Sequence, residues 1–274
     1  MRKPWSIITL LLVLVVLLAA CSPHTFSRPY QIHVTANDEI SKPAIALDAA
    51  GVSHITGETG TNVIYYRTVF GPPSKTLTMT LPGSGANFVQ FQPDIAVTDD
   101  GTAYMVWFEQ QGTTDRIACY QVFPAVEPAG GYQTTCTRVD PGYFAVSDLI
   151  VIARGNEVYV IYDRIDADSR VASTWYKSLA DPNKAGEIND YAFEYESGWI
   201  HDWAVGIDAD GYLHVAYIDN NGTGPYPHTR YLTYRSNRSV SPDGRMLQYW
   251  YVYSGNEIDI VAGISLAFTT SGSG

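Results

Sequence analysis

Pro93-Asp-Ile-Ala-Val-Thr-Asp-Asp-Gly101 is a short apolar strand that ends in a polar turn closed by glycine, and the chain repeats it. Pro43-Ala-Ile-Ala-Leu-Asp-Ala-Ala-Gly51, Ser147-Asp-Leu-Ile-Val-Ile-Ala-Arg-Gly155 and Trp203-Ala-Val-Gly-Ile-Asp-Ala-Asp-Gly211 share its pattern. The four glycines are spaced 50, 54 and 56 residues apart. A period of this length marks a repeat architecture, in which each unit buries its apolar face against the next. Within the copies, large apolar residues alternate with small ones. Ile45 and Leu47 point one way and Ala44 and Ala46 the other, as do Val205 and Ile207 against Ala204 and Gly206. Both faces therefore suit a strand held between two packed sheets.

Working outward, each glycine leads into a second strand: Val52 to Thr56, Thr102 to Trp107, Glu157 to Tyr162 and Tyr212 to Tyr217. Third strands are predicted over Asn62 to Val69, Arg116 to Phe123, Ala172 to Leu179 and Arg230 to Ser236, with Tyr66, Tyr120, Tyr176 and Tyr234 at matching places. Fourth strands are predicted over Lys75 to Leu81, Tyr132 to Val139, Tyr191 to Glu196 and Met246 to Tyr253. Four antiparallel strands per unit of this size make the blade of a β-propeller, with a sandwich or β-solenoid as the runner-up. Ser265-Leu-Ala-Phe-Thr-Thr-Ser-Gly272 starts a fifth copy. The expectation is thus an all-β propeller of four complete blades and the start of a fifth, a C-terminally truncated piece of a longer propeller. A strand over Tyr30 to Thr35 that completes an abbreviated last blade is the alternative.

The N-terminus reads differently. Arg2 and Lys3 precede an apolar run from Ile7 to Leu18, and Leu18-Ala19-Ala20-Cys21 follows. The run is short for a membrane span and right for a signal-peptide core. The ending resembles the lipobox of bacterial lipoproteins, which implies cleavage after residue 20 and a lipid on Cys21; an ordinary secretory signal is the alternative. Residues 1–20 are then a signal peptide, 21–29 the lipidated cysteine and a tether, and 30–274 the propeller domain. The expected location is the cell envelope, lipid-anchored on the extracytoplasmic side of a bacterial membrane.

After cleavage 15 basic side chains face 28 acidic ones, which argues against nucleic acid or an anionic membrane surface as a partner. Cys119 and Cys136 flank the turn-like stretch Pro124 to Gly131 symmetrically. In an oxidising compartment they are expected to form a disulfide, against the alternatives of free thiols or part of a metal site.

The first-strand pattern Pro-x-Ile-Ala-(Val/Leu)-x-x-x-Gly and the aromatic-ended second strand resemble bacterial propellers of the sialidase-like, BNR-repeat superfamily. The resemblance covers about Lys42 to Gly272 and concerns the scaffold. The superfamily's Asp-box is degenerate: Asp99, Gly101 and Tyr104 match, but Val97 stands where Ser is expected. No Arg-Ile-Pro motif occurs, and Arg67 and Arg235, on third strands, read as solvated residues rather than an arginine triad.

In a propeller the 2–3 loops and the connections to the next blade open on one face. Acidic residues recur there: Glu109, Asp163 and Asp219 follow second strands, with Glu58 one place off, and Asp94 and Asp148 begin first strands. Nearby are Trp107, Phe108, Tyr162, Tyr217, Trp199, His201, Asp202 and Trp203. Carboxylates that accept hydroxyl hydrogen bonds, beside rings that stack on sugar faces, point to glycan or protein binding. Packing of the repeat itself is the competing explanation. A glycoside hydrolase or lyase that draws two carboxylates from Glu109, Asp148, Asp163 and Asp202 is the second reading, and a structural envelope protein the third. Asp163, Asp166 and Asp168 are a candidate oxygen-ligand set for Ca²⁺, against a solvated loop. No other cofactor is implied.

Overall fold

The computed structural model describes residues 40–68, 76–80, 88–112, 116–132, 135–142, 144–165, 172–188, 201–220, 230–240, 246–255 and 266. The chain divides into two units, Met1–Asn37 and Asp38–Gly274, and every described residue belongs to the second. Residues 1–29, for which a signal peptide, a lipidated Cys21 and a tether are expected, lie outside the described residues, as does the expected fifth copy apart from Leu266.

Four successive antiparallel units account for all described secondary structure. The first is β1 (Ile40–Leu47), β2 (Ser53–Thr59), β3 (Asn62–Thr68) and β4 (Thr76–Thr80). The second is β5 (Phe88–Val97), β6 (Ala103–Gln111), β7 (Arg116–Phe123) and β8 (Thr137–Arg138). The third is β9 (Phe144–Arg154), β10 (Glu157–Ile165), β11 (Ala172–Ser178) and β12 (Ala185–Glu187). The fourth is β13 (His201–Ile207), β14 (Leu213–Asn220), β15 (Arg230–Val240) and β16 (Met246–Gly255). Each unit pairs its strands in sequence order, and one bridge between Arg116 and Ala145 joins the middle two units into a single sheet. First strands lie side by side, β1 against β5, β5 against β9 and β9 against β13. This is the blade arrangement of a β-propeller, with first strands innermost.

Turn chemistry explains the repeat. In blades 1, 2 and 4 a five-residue turn joins the first two strands and ends the left-handed stretch at Gly51, Gly101 or Gly211, with φ of +78°, +83° and +85°. Asp48 Oδ1 accepts the N–H groups of Ala50 and Val52, and Asp208 Oδ1 those of Asp210 and Tyr212. The aspartate substitutes for the missing ladder partners. Asp208-Ala-Asp-Gly is therefore a turn and not the start of a calcium loop.

Blade 3 departs from the others. Arg154 pairs directly with Glu157 across a two-residue Gly155-Asn156 turn. The cross-strand registers place His54, Tyr104, Tyr159 and His214 at one equivalent position, each diagonal to a third-strand tyrosine: Tyr65, Tyr120, Tyr176 and Tyr234. The first-blade member is Tyr65 rather than Tyr66, and a one-residue slip sends a side chain to the opposite face. His54 Nδ1 and the Tyr65 hydroxyl share a 2.8 Å hydrogen bond, and His214 bonds to Tyr234 and, at 2.9 Å, to Asp208. The fourth strand of blade 3 is also earlier than expected, because Asp181-Pro-Asn-Lys184 makes a tight hairpin: Lys184 N donates to Asp181 O. The predicted strand Tyr191 to Glu196 lies outside the described residues.

The core sits between blades. Tyr65, Met105, Trp107 and Phe123 fill the junction of blades 1 and 2, where Tyr65 and Phe123 stack at 4.0 Å. Val106, Phe108, Val160 and Tyr162 fill the next junction, and Tyr159, Ile161, Val215 and Tyr217 the third. Cys119 and Cys136 form a disulfide with Cα atoms 5.1 Å apart. It ties β7 to the segment that leads into β8.

Candidate functional site

The face that carries the 2–3 loops and inter-blade connections is the candidate site. Residues 81–87, 113–115, 166–171, 189–200 and 221–229, which the sequence reading assigns to it, lie outside the described residues, Trp199, Asp166 and Asp168 among them. The ends of the inner strands beneath are described.

Each inner strand breaks register near this face. In β1 the irregularity falls at Lys42-Pro43 and in β5 at Gln92-Pro93. Lys42 and Gln92 have φ of 45° and 49°. A residue before proline is steered from the right-handed helical region toward extended backbone, so the left-handed conformation of each bulge residue carries a cost in strain. Glu58 Oε1 holds this geometry in place. It accepts the Gln92 N–H across the blade junction at 2.6 Å and stands 3.3 Å from Lys42 Nζ, while Ser41 donates to Oε2. Burial alone would raise the Glu58 pKa, but these donors outweigh it and hold the carboxyl below its ordinary range.

In β9 and β13 the irregular stretch contains Asp148 and Asp202. Asp148 immediately precedes Leu149, the partner of Tyr162; Asp202 immediately precedes Trp203, the partner of Tyr217. Tyr162 and Tyr217 each follow the equivalent Tyr159 and His214 by three places, so the two aspartates share one register position on neighbouring inner strands. Asp94 is displaced from it by two residues, since the short turn of blade 3 shifts the frame. For Asp148, His201, Asp202, Trp203 and Asp219 the backbone placement is described.

Several expected mouth residues are placed in the interior. Glu109 is fully buried, and its Oε1 accepts Trp107 Nε1–H at 3.1 Å and Gln90 Nε2–H at 2.9 Å. Gln90 in turn accepts the Val63 N–H of blade 1, so this chain of bonds crosses a junction. Trp107, Tyr162 and Tyr217 are core residues, because their large faces fill the inter-blade gap that the small first-strand residues leave. Asp163 is buried and accepts the Thr174 hydroxyl at 2.6 Å. It is equivalent to Glu58 rather than to Glu109. Asp94, partly buried, accepts N–H groups from Ile95 and Val151, and burial raises its pKa against the pull of those bonds. The acidic residues that recur in the sequence therefore serve two positions, and several of them join blades.

The third-strand arginines are not solvated equivalents. Arg235 is buried and donates to Met246 O, while Arg67 donates to Ala125 O at 2.7 Å. Among the described residues, the one grouping with metal-ligand types is Glu109, Cys119 and Cys136, and its two sulfurs are committed to the disulfide. The sequence reading also missed a polar cluster beside the mouth. Asp140 Oδ2 accepts Tyr162 OH at 3.0 Å and Arg164 Nη1–H at 2.9 Å, and the Arg164 guanidinium lies 3.3 Å from the centre of the Trp175 ring. An Arg two residues after a second-strand Tyr was its only signal.

Blade order, inner-strand packing and strand register define the chain as a β-propeller protein. Solved structures agree at the level of fold. An α-L-arabinanase of Penicillium chrysogenum in complex with arabinobiose superposes with a TM-score of 0.51 at 11% identity, covering 75% of this chain and 64% of that one. An α-L-arabinofuranosidase of Fusarium graminearum in complex with an iminosugar inhibitor gives 0.52 at 13% identity, with 77% and 70% covered. The chain thus spans just under two thirds of the arabinanase. No protein-family model matches the chain. No curated protein matches it either.

Proposed function

We propose that this propeller acts on glycans as a glycoside hydrolase, with Asp148 and Asp202 as its carboxylate pair. The observation that carries the reading is their shared register position in the broken stretches of β9 and β13, at the loop-bearing end of neighbouring inner strands. Bulges at such places re-aim side chains. Glycoside hydrolysis needs two carboxyl groups that flank one bond: a protonated one to donate to the leaving oxygen, and an ionised one to activate water or attack the sugar carbon. Of the four carboxylates that the sequence offers, Glu109 and Asp163 are spent on internal hydrogen bonds. The structural neighbours supply the substrate to try first, since both are enzymes of arabinose-containing glycans by name and one holds arabinobiose. The repeat pattern Pro-x-Ile-Ala supports a distant tie to the sialidase-like superfamily as part of the same proposal.

The test is hydrolysis of arabinan and of aryl arabinofuranosides, then of a wider aryl-glycoside panel. Asp148→Asn and Asp202→Asn are each expected to lower turnover at least ~100-fold, the usual contribution of a positioned acid or base, with melting temperature unchanged. If the unaltered chain turns over none of these substrates, yet binds a glycan that either variant weakens, the mouth is a binding site and not an active site.

The N-terminal reading completes the proposal: Cys21 carries lipid and holds the propeller outside the cytoplasmic membrane. Cys21→Ser should abolish incorporation of a labelled fatty acid, and a variant that still takes up the label would contradict the anchor.

A further inference from the structure

Among the described residues, Lys42 and Gln92 are the two non-glycine residues with a left-handed backbone, at φ of 45° and 49°. A conformation so sparsely populated costs free energy, and such strain clusters at ligand sites, where the surrounding structure holds it. Both residues stand at one place in the fold. The bulged pairs Lys42-Pro43 and Gln92-Pro93 lie opposite Gly57 and Trp107, three residues after the equivalent His54 and Tyr104. Leu149 and Trp203 pair with Tyr162 and Tyr217, three residues after Tyr159 and His214, and Asp148 and Asp202 immediately precede them. Lys42, Gln92, Asp148 and Asp202 therefore share one register position on four successive inner strands, at the loop-bearing end.

One carboxylate fixes the first two. Glu58 Oε1 accepts the Gln92 N–H at 2.6 Å and lies 3.3 Å from Lys42 Nζ. It holds Gln92 by the backbone, so the side chain of Gln92 is not used up in keeping the strain. That amide is half-buried and makes no hydrogen bond among the described residues. The Lys42 ammonium has three N–H donors, Glu58 faces one side of it, and the side chain is 56% exposed. Donors on blades 1 and 2 thus stand in the same ring of positions as carboxyl groups on blades 3 and 4.

We propose that Lys42 and Gln92 are ligand-binding residues of the mouth, the donor half of a site whose acceptor half is Asp148 and Asp202, and that this site takes a hydroxyl-bearing, uncharged sugar unit. A sugar hydroxyl accepts from an ammonium or an amide and donates to a carboxylate, so a ring that spans these positions satisfies both halves. One base, Lys42, stands against three acids, Glu58, Asp148 and Asp202, which disfavours an anionic sugar. These roles rest on the glycan-binding mouth proposed above and do not require it to be catalytic.

The test is calorimetric titration of the full chain, in detergent, with arabinobiose, xylobiose and cellobiose, in an Asp148→Asn background that prevents turnover. At least one disaccharide is expected to bind, and Gln92→Gly and Lys42→Met are each expected to weaken it at least ~tenfold, the worth of one good hydrogen bond. Gln92→Gly is the sharper of the two. Glycine adopts the left-handed backbone without a steric penalty, so the melting temperature holds while affinity falls, whereas a merely structural Gln92 would leave affinity unmoved. Lys42→Arg, which keeps the donors, retains most of the affinity. The proposal is overturned if no disaccharide binds, or if either folded variant binds as tightly as its parent. Kinetics separate this failure from that of the active-site reading. Should the otherwise unaltered chain hydrolyse an aryl glycoside, with Asp148→Asn inactive and KM within about twofold in both variants, the donor half fails and the carboxylate pair stands. Should nothing be hydrolysed while both variants weaken binding, the donor half stands and the hydrolase reading fails.

Discussion

The Asp94 carboxylate on β5 accepts the Val151 backbone N–H on β9 at 2.9 Å, so one side chain joins two blades at the inner ring. Its other oxygen accepts the Ile95 N–H. Edges of adjacent inner strands do not pair in a ladder here, and this carboxylate satisfies a donor that would otherwise be orphaned.

Asp94→Ala removes both acceptors and leaves a partly buried N–H without a partner. A cost of about 1–3 kcal/mol is expected. The urea midpoint should fall with an unchanged denaturant slope, because the blades stay packed. Burial has raised the Asp94 pKa, so the stability that depends on its protonation is complete below the ordinary carboxylate range and lost as pH rises through the raised value. The deficit of Asp94→Ala is therefore larger at pH 3 than at pH 7.

Glu109 gives a sharper contrast. Trp107 and Gln90 both donate to its Oε1, inside a junction closed to solvent. Glu109→Ala should cost about 2–3 kcal/mol by leaving two buried donors unmet. Glu109→Gln keeps an oxygen in place and should cost less. Neither is expected to change the turnover of an aryl glycoside per folded molecule. A hundredfold loss in a folded Glu109→Gln chain would return this residue to the list of catalytic candidates.

The fold was legible because its signals are local and repeated. The glycine-closed turns set the period, and small residues such as Ala44, Ala46 and Gly206 announce that another blade lies close. The site was less legible for two physical reasons. First, the two-residue Gly155-Asn156 turn replaces a five-residue one, and the register of blade 3 shifts without any change in apolar pattern. Asp148 thereby matches Asp202 rather than Asp94. Second, an acid at the end of a strand has the same letter whether it faces a ligand or bonds the neighbouring blade. Glu58 and Glu109 became inter-blade ties through Gln92 and Gln90, partners that lie 34 and 19 residues away in sequence. The disulfide was legible as an expectation, since Cys119 and Cys136 flank one turn symmetrically, and the structure decides it against free thiols.

That disulfide closes a loop between residues 17 apart in sequence. Restricting the unfolded chain this way is worth roughly 3 kcal/mol in the chain-entropy account. The paired change Cys119→Ala/Cys136→Ala should lower stability by about that amount, and reductant should lower the unaltered chain toward the same value. The double variant should be insensitive to reductant.

Acid stability tests the turn of blade 4. Burial alone would raise the Asp208 pKa, but hydrogen bonds from His214 and from the N–H groups of Tyr212 and Asp210 outweigh it and hold the group at about 2. Arg238 lies 2.8 Å from the same carboxylate. A depressed carboxyl contributes stability that is complete above its unfolded value, near 4, and is lost as pH falls through about 2. Asp208→Asn should therefore destabilise at pH 7, by about 1–3 kcal/mol for the bonds it weakens. At pH 2 the gap between the variant and the unaltered chain should have narrowed to a small part of its value at pH 7, because Asp208 is then protonated in the unfolded chain and half protonated in the folded one. Denaturant midpoints measured at pH 7, 4 and 2 decide it: a gap that persists undiminished at pH 2 would mean that the turn depends on the shape of the Asp208 side chain and not on its ionisation.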